Sequence, residues 1–415
     1  MPTVALLGTF DTKQVEYGWL RERLTEAGCD VLGVDVGTFS DDDGGGLADI
    51  SAADVASAAG ADLGELRAAG DRGAAMAAMA DGAAAVVTRL YREGRLDGVL
   101  AVGGSGGSSV AGRAMRALPV GVPKLLVSTM ASGDVRPYVG DVDVTLMYSV
   151  VDISGVNSVS RLVLGNAAAA VAGMAAAHER RRREPERDDG RPVVAATMFG
   201  LTTPAVDEAR ETLAELGYEV LVFHATGAGG RAMESLVTSG LVDGVLDLTT
   251  TELADDLVGG VLTAGPERLT AAGRAGVPQV VSVGALDMVN FGPQETVPER
   301  FADRKFLVHN ATVTLMRTTE EEMAVLGGRI AGKLAAATGP VEVFLPLRGV
   351  SGIDTAGGQF EDAAADEACL AEIRTGLAGS AVVVHEVDSH INDKGFGRAA
   401  AEALHRLVTN NRGNR

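Results

Sequence analysis

Several segments of the sequence have the composition of phosphate-binding loops, and the most informative is Val-Gly-Gly-Ser-Gly-Gly-Ser-Ser at 102–109. Glycines let backbone N–H groups approach a ligand closely, and the serines add hydroxyl donors. A helix predicted to begin near Ser108 adds an N-terminus that favours an anion. The segment matches neither the GxxxxGK[ST] nor the GxGxxG pattern. It predicts a phosphate cradle, and a glycine-rich loop without a ligand is the alternative.

Three more polar loops of the first half follow predicted strands, at 8–13, 35–38 and 128–134. Lys13 and Arg72 are the cations available to balance phosphate charge. Asp11 and Asp134 are candidates to hold Mg²⁺ through water, the usual companion of ATP.

Each of these residues also has a simpler interpretation. Asp11 and Thr12 would serve equally as caps of the first helix. Asp134 would pair with Arg136, and Arg72 would be solvent-exposed at the start of a long helix.

The second half repeats the order of strand, glycine-rich turn and helix at 223–231, so an anion is expected at that helix N-terminus beside Arg231. His224 lies in the same turn, Glu252 and His390 follow other predicted strand ends, and histidines titrate near neutral pH. We therefore interpret His224, Arg231, Glu252 and His390 as candidate catalytic residues. A metal held by the histidines with Glu252 or Asp388 is a weaker alternative, because no HExxH-like spacing exists. A helix cap around Thr251 is another.

Short β-branched runs alternate with longer Ala-rich runs along the whole chain, which is typical of parallel sheets covered by helices on both faces. We predict strands at 3–7, 30–35, 98–102, 124–128, 142–147, 193–197, 219–223, 244–247, 279–282, 341–345 and 382–385. We predict helices at 72–93, 204–216, 231–239, 319–336 and 395–408. The stretch 286–310, which contains His309, is predicted to be irregular and is a candidate lid.

A charged segment with the sequence HERRRREPERDDGRP at 178–192 divides the two halves and indicates an exposed linker. The predicted fold class is α/β, with two doubly wound, Rossmann-like parallel-sheet domains. The first spans 1–180, the linker 181–192, and the second 193–415. Ligands of such sheets bind at the carboxyl ends of the strands, where the polar loops lie.

The net charge of −20 argues against nucleic acid and anionic membranes as partners. The two cysteines, Cys29 and Cys369, are far apart and form no metal or redox motif, which fits a reducing compartment. The N-terminus lacks the features of a signal peptide, and the longest apolar stretch, 162–177, is short for a membrane span. We expect a cytoplasmic protein with a buried helix at 162–177.

Five motifs of the first half, GTFDTK, GGSGG, LPVGVPK, VSTMASGDV and YSVVDISGVN, resemble the Tm-one-like ATP-binding domain family. ATMFGLTTP, FHATGAGGRAME, DLTTTEL and HIND extend the resemblance beyond the linker, so that it covers nearly the whole chain.

The resemblance implies ATP, with Mg²⁺ expected beside it, in the first domain of a homodimer. Carried over by motif, the nucleotide contacts are Phe10, Asp11, Thr12, Thr38, Arg72, Val102, Gly103, Gly104 and Ser105. The match is clean at Asp11-Thr12 and Gly103–Ser105 and looser at Thr38 and Arg72. The loop residues Lys13, Gly106, Ser132, Gly133 and Asp134 complete the predicted ATP site. The antiviral role of the family's plant member is not carried over.

Two classes of function follow from these residues. One is an ATP-dependent enzyme that acts on a small anionic metabolite by phosphoryl transfer or ligation. The other is a nucleotide-binding regulatory or interaction module without catalysis. The gathering of histidines at one predicted edge of the second domain favours the enzyme.

Overall fold

The structure is a computed structural model, and it describes residues 1–38, 45–184 and 190–413. The chain forms two compact units, residues 1–187 and 188–415. Part of the predicted linker, at 185–189, lies outside the described residues. Residues 181–183 of that linker are instead the last residues of a long helix.

The first unit is a five-stranded, fully parallel sheet in the order β2-β1-β3-β4-β5. Its strands are β1 (Thr3–Gly8), β2 (Asp30–Asp35), β3 (Gly98–Gly103), β4 (Lys124–Ser128) and β5 (Thr145–Tyr148). Its helices are α1 (Phe10–Glu26), α2 (Ala52–Ala58), α3 (Leu63–Ala69), α4 (Arg72–Arg92), α5 (Ser105–Arg116), α6 (Arg136–Val139) and α7 (Ser158–Arg183). Separate apolar clusters cover the two faces of the sheet, which explains why the inner strands are apolar at most positions.

Helix α7 contains the apolar stretch 162–177 and is, among the described residues, the one helix long and apolar enough to cross a membrane. Leu164, Ala168, Val171 and Ala175 of this helix are buried in the cluster that covers one face of the sheet. The expected buried helix is therefore confirmed as part of the core.

The second unit has a six-stranded parallel sheet in the order β14-β13-β9-β8-β6-β7. These strands are β6 (Val193–Met198), β7 (Glu219–His224), β8 (Gly244–Thr249), β9 (Gln279–Gly284), β13 (Val341–Pro346) and β14 (Val383–Val387). The helices are α8 (Thr203–Glu215), α9 (Ala228–Thr238), α10 (Glu252–Val258), α11 (Ala271–Ala275), α12 (Glu320–Ala335), α13 (Ala363–Leu377) and α14 (Phe396–Gly413).

The prediction of an irregular stretch at 286–310 is wrong. Three short strands, β10 (Met288–Phe291), β11 (Phe306–Asn310) and β12 (Val313–Arg317), form an antiparallel sheet in the order β10-β12-β11. Met288–Phe291 is buried at every position, so it lacks the alternation that marks a half-exposed strand. His309 lies exposed at the end of β11 in this sheet rather than in a loose lid.

In each unit the first strand has its two successors on opposite sides. β1 lies between β2 and β3, and β6 lies between β7 and β8. Such a reversal of strand order opens a crevice at the carboxyl ends of the two strands that flank it. The polar loops after β1 and β3, and those after β6 and β8, are therefore the places to look for a ligand site.

Candidate functional site

Two helices begin at the crevice of the first unit. Helix α1 follows Thr9 and helix α5 follows Gly104, and neither of these N-cap residues makes a side-chain capping bond. The first N–H groups of a helix lack partners within the helix and carry a partial positive charge. The N-terminus of α5 can therefore bind an anion at this edge of the sheet, whereas the first N–H of α1, that of Phe10, donates to Asp35.

The glycines of the loop after β3 leave open space at this edge. Gly104 has an ordinary φ of −81°, and a Cβ added there would meet its nearest atom, Thr129 Oγ1, at 3.7 Å. At Gly106 an added Cβ would contact only the flexible ends of Met76 and Arg72, at 3.3 and 4.0 Å. The fold itself does not require glycine at these two positions. Gly103 differs, because a Cβ there would lie 3.0 Å from the backbone of Gly107.

The floor of the crevice is a buried set of hydroxyl groups. The Tyr17 hydroxyl bonds to the Leu7 carbonyl at 2.8 Å and to the backbone of Val102, and so joins β1 to β3. The Ser108 and Ser128 hydroxyls lie 2.6 Å apart and join α5 to β4. These bonds hold the glycine-rich loop in a fixed position between three strands.

Phe10 and Val102, both predicted to contact the nucleotide, have buried side chains in the core. The N–H of Phe10 donates to the buried carboxylate of Asp35 at 3.1 Å, and the same oxygen accepts the N–H of Gly37 at 2.8 Å. The buried side chains of Phe10 and Val102 do not face a ligand, and the Phe10 N–H and the Val102 N–H and carbonyl already have partners within the protein. Asp11 is half-buried, and its carboxylate packs closely against Gly37. A Cβ added to Gly37 would lie only 2.7 Å from Asp11 Cγ.

Thr38 and Arg72 line the same small cavity, together with Arg67 and Asp71. The Arg72 guanidinium also lies near Gly106, because a Cβ added at Gly106 would be 4.0 Å from Arg72 Nη2. The structure therefore brings the residues after β2, the start of α4 and the glycine-rich loop to one place. The sequence match was looser at Thr38 and Arg72, and the structure places both of them on this one cavity.

Lys13 and Thr12 face other partners in this structure. The Lys13 backbone departs from helical geometry with φ −134° and ψ 33°, and its ammonium donates to the Ile153 carbonyl at 2.6 Å. The Thr12 hydroxyl is paired with that of Thr9 at 2.9 Å. The expected capping of α1 by the side chains of Asp11 and Thr12 is not observed, since the N-cap residue is Thr9.

Ser132, Gly133 and Asp134 are exposed in the loop after β4. Asp134 forms a bidentate pair with Arg136, at 2.9 and 2.8 Å, and this pairing lowers the pKa of Asp134 to about 2. The simpler interpretation of Asp134 is thus the one observed. Beside this loop, the β-branched Val150 has a φ of 67°, an uncommon backbone conformation that concentrates at functional sites.

At the crevice of the second unit, the expected anion position at the N-terminus of α9 is taken by the protein's own Glu252. Its carboxylate accepts the N–H groups of Gly227 and Gly230 at 2.6 and 3.1 Å. Its other oxygen accepts Arg268 Nε at 2.6 Å. Glu252 has no exposed surface, so we assign it a structural role and correct the expectation of a catalytic one. Thr251 makes no capping side-chain bond to α10.

Arg268 is the centre of this buried network. Besides Glu252, its guanidinium binds both carboxylate oxygens of Asp247, with Nη2 to Oδ1 at 2.6 Å, and contacts Glu234 at 3.4 Å. Arg268 and Asp247 are both buried. Because charges removed from water must be paired, this cluster fixes the loop 259–270 beneath the sheet edge.

The other three catalytic candidates are not brought together at an open site. His224 is exposed at the end of the edge strand β7 and lies edge-on to Phe199, with ring centroids 6.0 Å apart. Arg231 donates to the Thr263 carbonyl at 3.0 Å. His390 is buried, with Nε2 bonded to the Ser351 carbonyl at 2.8 Å and Nδ1 accepting the Asn392 N–H at 3.0 Å. Both ring nitrogens of His390 are therefore hydrogen-bonded to backbone groups of turns. This corrects the expectation that His390 is an open acid–base group.

Instead, carboxylates from several elements meet near the ends of β9 and β13. The Ser351 hydroxyl donates to Asp287 Oδ2 at 2.8 Å, and Asp287 is fully buried. Arg317 contacts Asp366 at 2.8 Å and Asp354 at 3.9 Å. Burial raises the pKa of Asp287 to about 7, with a further contribution from Asp354. Burial and Asp354 raise the pKa of Asp366 to about 8.

The Asp287→Asn variant tests this environment through pH. Folded Asp287 holds its proton up to about pH 7, whereas the unfolded side chain loses it near its ordinary pKa of 3.8. The folded state then binds more protons between these values, so the free energy of unfolding falls as pH rises from about 4 to 7. The neutral variant lacks this loss, and its stability relative to wild type should rise across that window and stay level above it.

Hydrogen exchange of second-unit peptides between pH 4.5 and 8.5, corrected for intrinsic exchange, measures the difference. Asp303→Asn is the matched control, because Asp303 is exposed in the same unit. A difference between Asp287→Asn and wild type that does not change with pH would contradict the assignment.

The sequence analysis assigned no role to Asp287, Ser351 or Asp354, which are polar residues that follow β9 and β13. It missed Tyr17, Arg268 and Arg317. Arg268 comes from a loop and Arg317 from an antiparallel strand, so no strand-end or motif signal marks either of them.

The chain is similar to known proteins over almost its whole length. A family model described as "Uncharacterised protein family (UPF0261) N-terminal domain" matches residues 2–180, and the corresponding C-terminal domain model matches residues 191–408. A UPF0261 protein of Clostridium tetani is 48% identical, over 97% of this chain and 98% of the relative. One from Mesorhizobium japonicum is 44% identical, over 97% of this chain and 99% of the relative.

A plant protein is also similar. The ToMV resistance protein Tm-1(GCR237) of Solanum lycopersicum is 45% identical over 80% of this chain, and the match spans 44% of the tomato protein. More than half of the tomato protein therefore has no counterpart in the match.

Proposed function

The chain belongs to the UPF0261 family, because the two family models together match almost its whole length, and from this premise we propose that its first unit binds ATP. The nucleotide phosphates would lie in the crevice between the ends of β1 and β3. The room beside Gly104, at a helix N-terminus without a side-chain cap, is the observation that carries the proposal.

Three features of the crevice favour a phosphate over a neutral group. The N-terminus of α5 supplies N–H donors and a positive partial charge, whereas the first N–H of α1 already donates to Asp35. The Arg72 guanidinium lies beside Gly106 and can form paired bonds to phosphate oxygens. The hydroxyl contact between Ser108 and Ser128 holds the loop in place, so little ordering cost remains for the ligand.

Mg²⁺ would accompany the nucleotide. Among the residues that the structure describes, no group of three His, Cys, Asp or Glu side chains is arranged to hold a metal. This suits Mg²⁺, which usually binds through one or two carboxylates, waters and the substrate phosphates. Asp11, whose carboxylate packs against Gly37 at this edge of the sheet, would be the carboxylate involved.

The Arg72→Gln variant tests the phosphate contact. Loss of one charged hydrogen-bonding partner should weaken binding of ATP with Mg²⁺ by about tenfold or more in a calorimetric titration. Arg92→Gln is the control, because Arg92 is an exposed arginine at the other end of the same helix. Equal affinity of the two variants would remove Arg72 from the site, and a wild type that binds no ATP would refute the proposal.

We further propose that the bound ATP serves a reaction on a small anionic metabolite, by phosphoryl transfer or ligation. His224 and Arg231, at exposed or partly exposed positions of the second unit, remain candidates to contact that metabolite. The alternative is a regulatory module that binds ATP without consuming it. Release of ADP or AMP, followed in the same samples after adding pools of anionic metabolites, distinguishes them. Turnover in any pool supports the enzyme, and binding without turnover in all pools supports the module.

The homodimer and the cytoplasmic location stay predictions. Exposed apolar side chains of β5 and α7, namely Tyr148, Val159 and Leu162, support a self-association surface on the first unit. Sedimentation velocity of the purified chain measures the assembly state directly. The tomato relative's name concerns resistance to a virus, and we do not extend that role to this chain.

A further inference from the structure

A groove lies between α11 and α12 of the second unit, away from the carboxyl ends of the strands. The helices α11 and α12 lead into the amino ends of β9 and β13. The groove has a volume of about 370 Å³, and the residues that matter here are Thr270, Arg274, Gly328, Arg329, Gly332 and Lys333. Its charged lining side chains are all cations, although the chain carries a net charge of −20.

Lys333 is held in the groove without a neutralising partner. Its ammonium donates to the carbonyls of Pro266 and Arg268 at 2.5 and 2.8 Å. Within residues 1–38, 45–184 and 190–413, no carboxylate forms an ion pair with it. Burial lowers its pKa, while the more distant carboxylates of Glu234, Glu267 and Asp256 oppose that effect. An ammonium has three donors, and the carbonyls use two of them.

The two arginines are paired only at the surface. Arg329 contacts Asp256 at 3.2 Å with 41% of its side chain exposed, and Arg274 contacts Glu267 with 69% exposed. Exposed pairs of this kind contribute about 0–1 kcal/mol, so either guanidinium can turn to another anion at little cost.

The floor of the groove is open because of glycine. Nothing lies within 4 Å of a Cβ added at Gly328 or Gly332, and neither has a positive φ. Glycine inside a helix costs about 1 kcal/mol relative to alanine. These two positions, one turn apart and beside the row of Arg329 and Lys333, are thus unfavourable for the helix, yet they keep the groove free for a ligand.

We propose that this groove binds a small molecule carrying a phosphate ester. Lys333 would supply a partly dehydrated point charge, and the guanidinium forks of Arg274 and Arg329 would bind the phosphate oxygens in pairs. The site is in a different unit from the proposed ATP site and does not depend on it.

The test uses inorganic pyrophosphate as the probe and a readout specific to Lys333. The full chain is acetylated briefly at increasing pyrophosphate concentrations, and modification of each lysine is measured by mass spectrometry. Lys333 should be protected in a saturable manner, whereas Lys394, which is exposed in the same unit, should not. Absence of protection at Lys333, or equal protection of both lysines, would overturn the proposal.

Arg329→Gln provides the second arm, since Arg329 is exposed enough for the variant to fold. The pyrophosphate concentration that half-protects Lys333 should rise by about tenfold. Arg398→Gln is the matched control, because Arg398 is an exposed arginine on α14. An unchanged midpoint in Arg329→Gln would also overturn the site. Failure of ATP to bind the first unit would leave both readouts unaffected.

Discussion

The Arg268→Met variant is expected to lose about 3–5 kcal/mol of the unfolding free energy of the second unit. Methionine replaces the apolar part of the side chain but leaves Asp247 and Glu252 buried without their cation. Removing one partner of a buried ion pair is costly, because the remaining charges have lost both water and counter-ion. The loop 259–270 would lose its anchor at the same time.

This loss is measurable separately in the two units. Trp19 is the single tryptophan of the chain and lies in the first unit, so its fluorescence follows that unit alone. Calorimetry should show the second-unit transition lowered by roughly 10 °C, with the Trp19 transition unchanged. Asp247→Asn added to Arg268→Met should recover part of the loss, since it removes one uncompensated charge.

Arg274→Met is the matched control for Arg268→Met. Arg274 is six positions further along the chain, with 69% of its side chain exposed and one surface partner. It should change stability by less than about 1 kcal/mol. If both variants were equally stable, the buried network would not hold the second unit together in the way described.

Gly104→Glu is expected to remove ATP binding, with affinity reduced by about a hundredfold or more. The backbone at Gly104 accepts a side chain, and the nearest atom to its Cβ is 3.7 Å away, so the variant should fold. A glutamate there would fill the space proposed for phosphate and place a negative charge at the N-terminus of α5. Steric exclusion and charge repulsion act together, which makes this effect larger than that of Arg72→Gln.

The control for Gly104→Glu is Gly173→Glu, on the exposed side of α7, where nothing lies within 4 Å of an added Cβ. Titration of ATP with Mg²⁺ into both variants should give wild-type affinity for Gly173→Glu only. The melting temperature of Gly104→Glu without nucleotide should match wild type. Unaltered ATP binding by Gly104→Glu would move the nucleotide away from the loop after β3.

The sequence by itself determined the fold class and the eleven strands of the two parallel sheets, because buried parallel strands are apolar at nearly every position. It also located the glycine-rich loop, since strand, glycine and helix follow each other locally along the chain. The residues Gly103–Gly106 lie at the switch point where that local order predicts them.

The tertiary structure decided which polar side chains are buried in networks of the fold and which stay exposed at the strand ends. Glu252 and Arg268 are 16 residues apart and Asp287 and Ser351 are 64 apart, so no local spacing shows that they meet. In the sequence, a carboxylate that follows a strand looks the same in two different roles. It can hold the cation that accompanies an anionic ligand, or it can accept the N–H groups at a helix N-terminus, as Glu252 does. Burial and the choice of partners depend on packing between distant segments. That packing leaves the crevice of the first unit open, whereas the crevice of the second unit is closed by Glu252 and Arg268, whose charges neutralise each other.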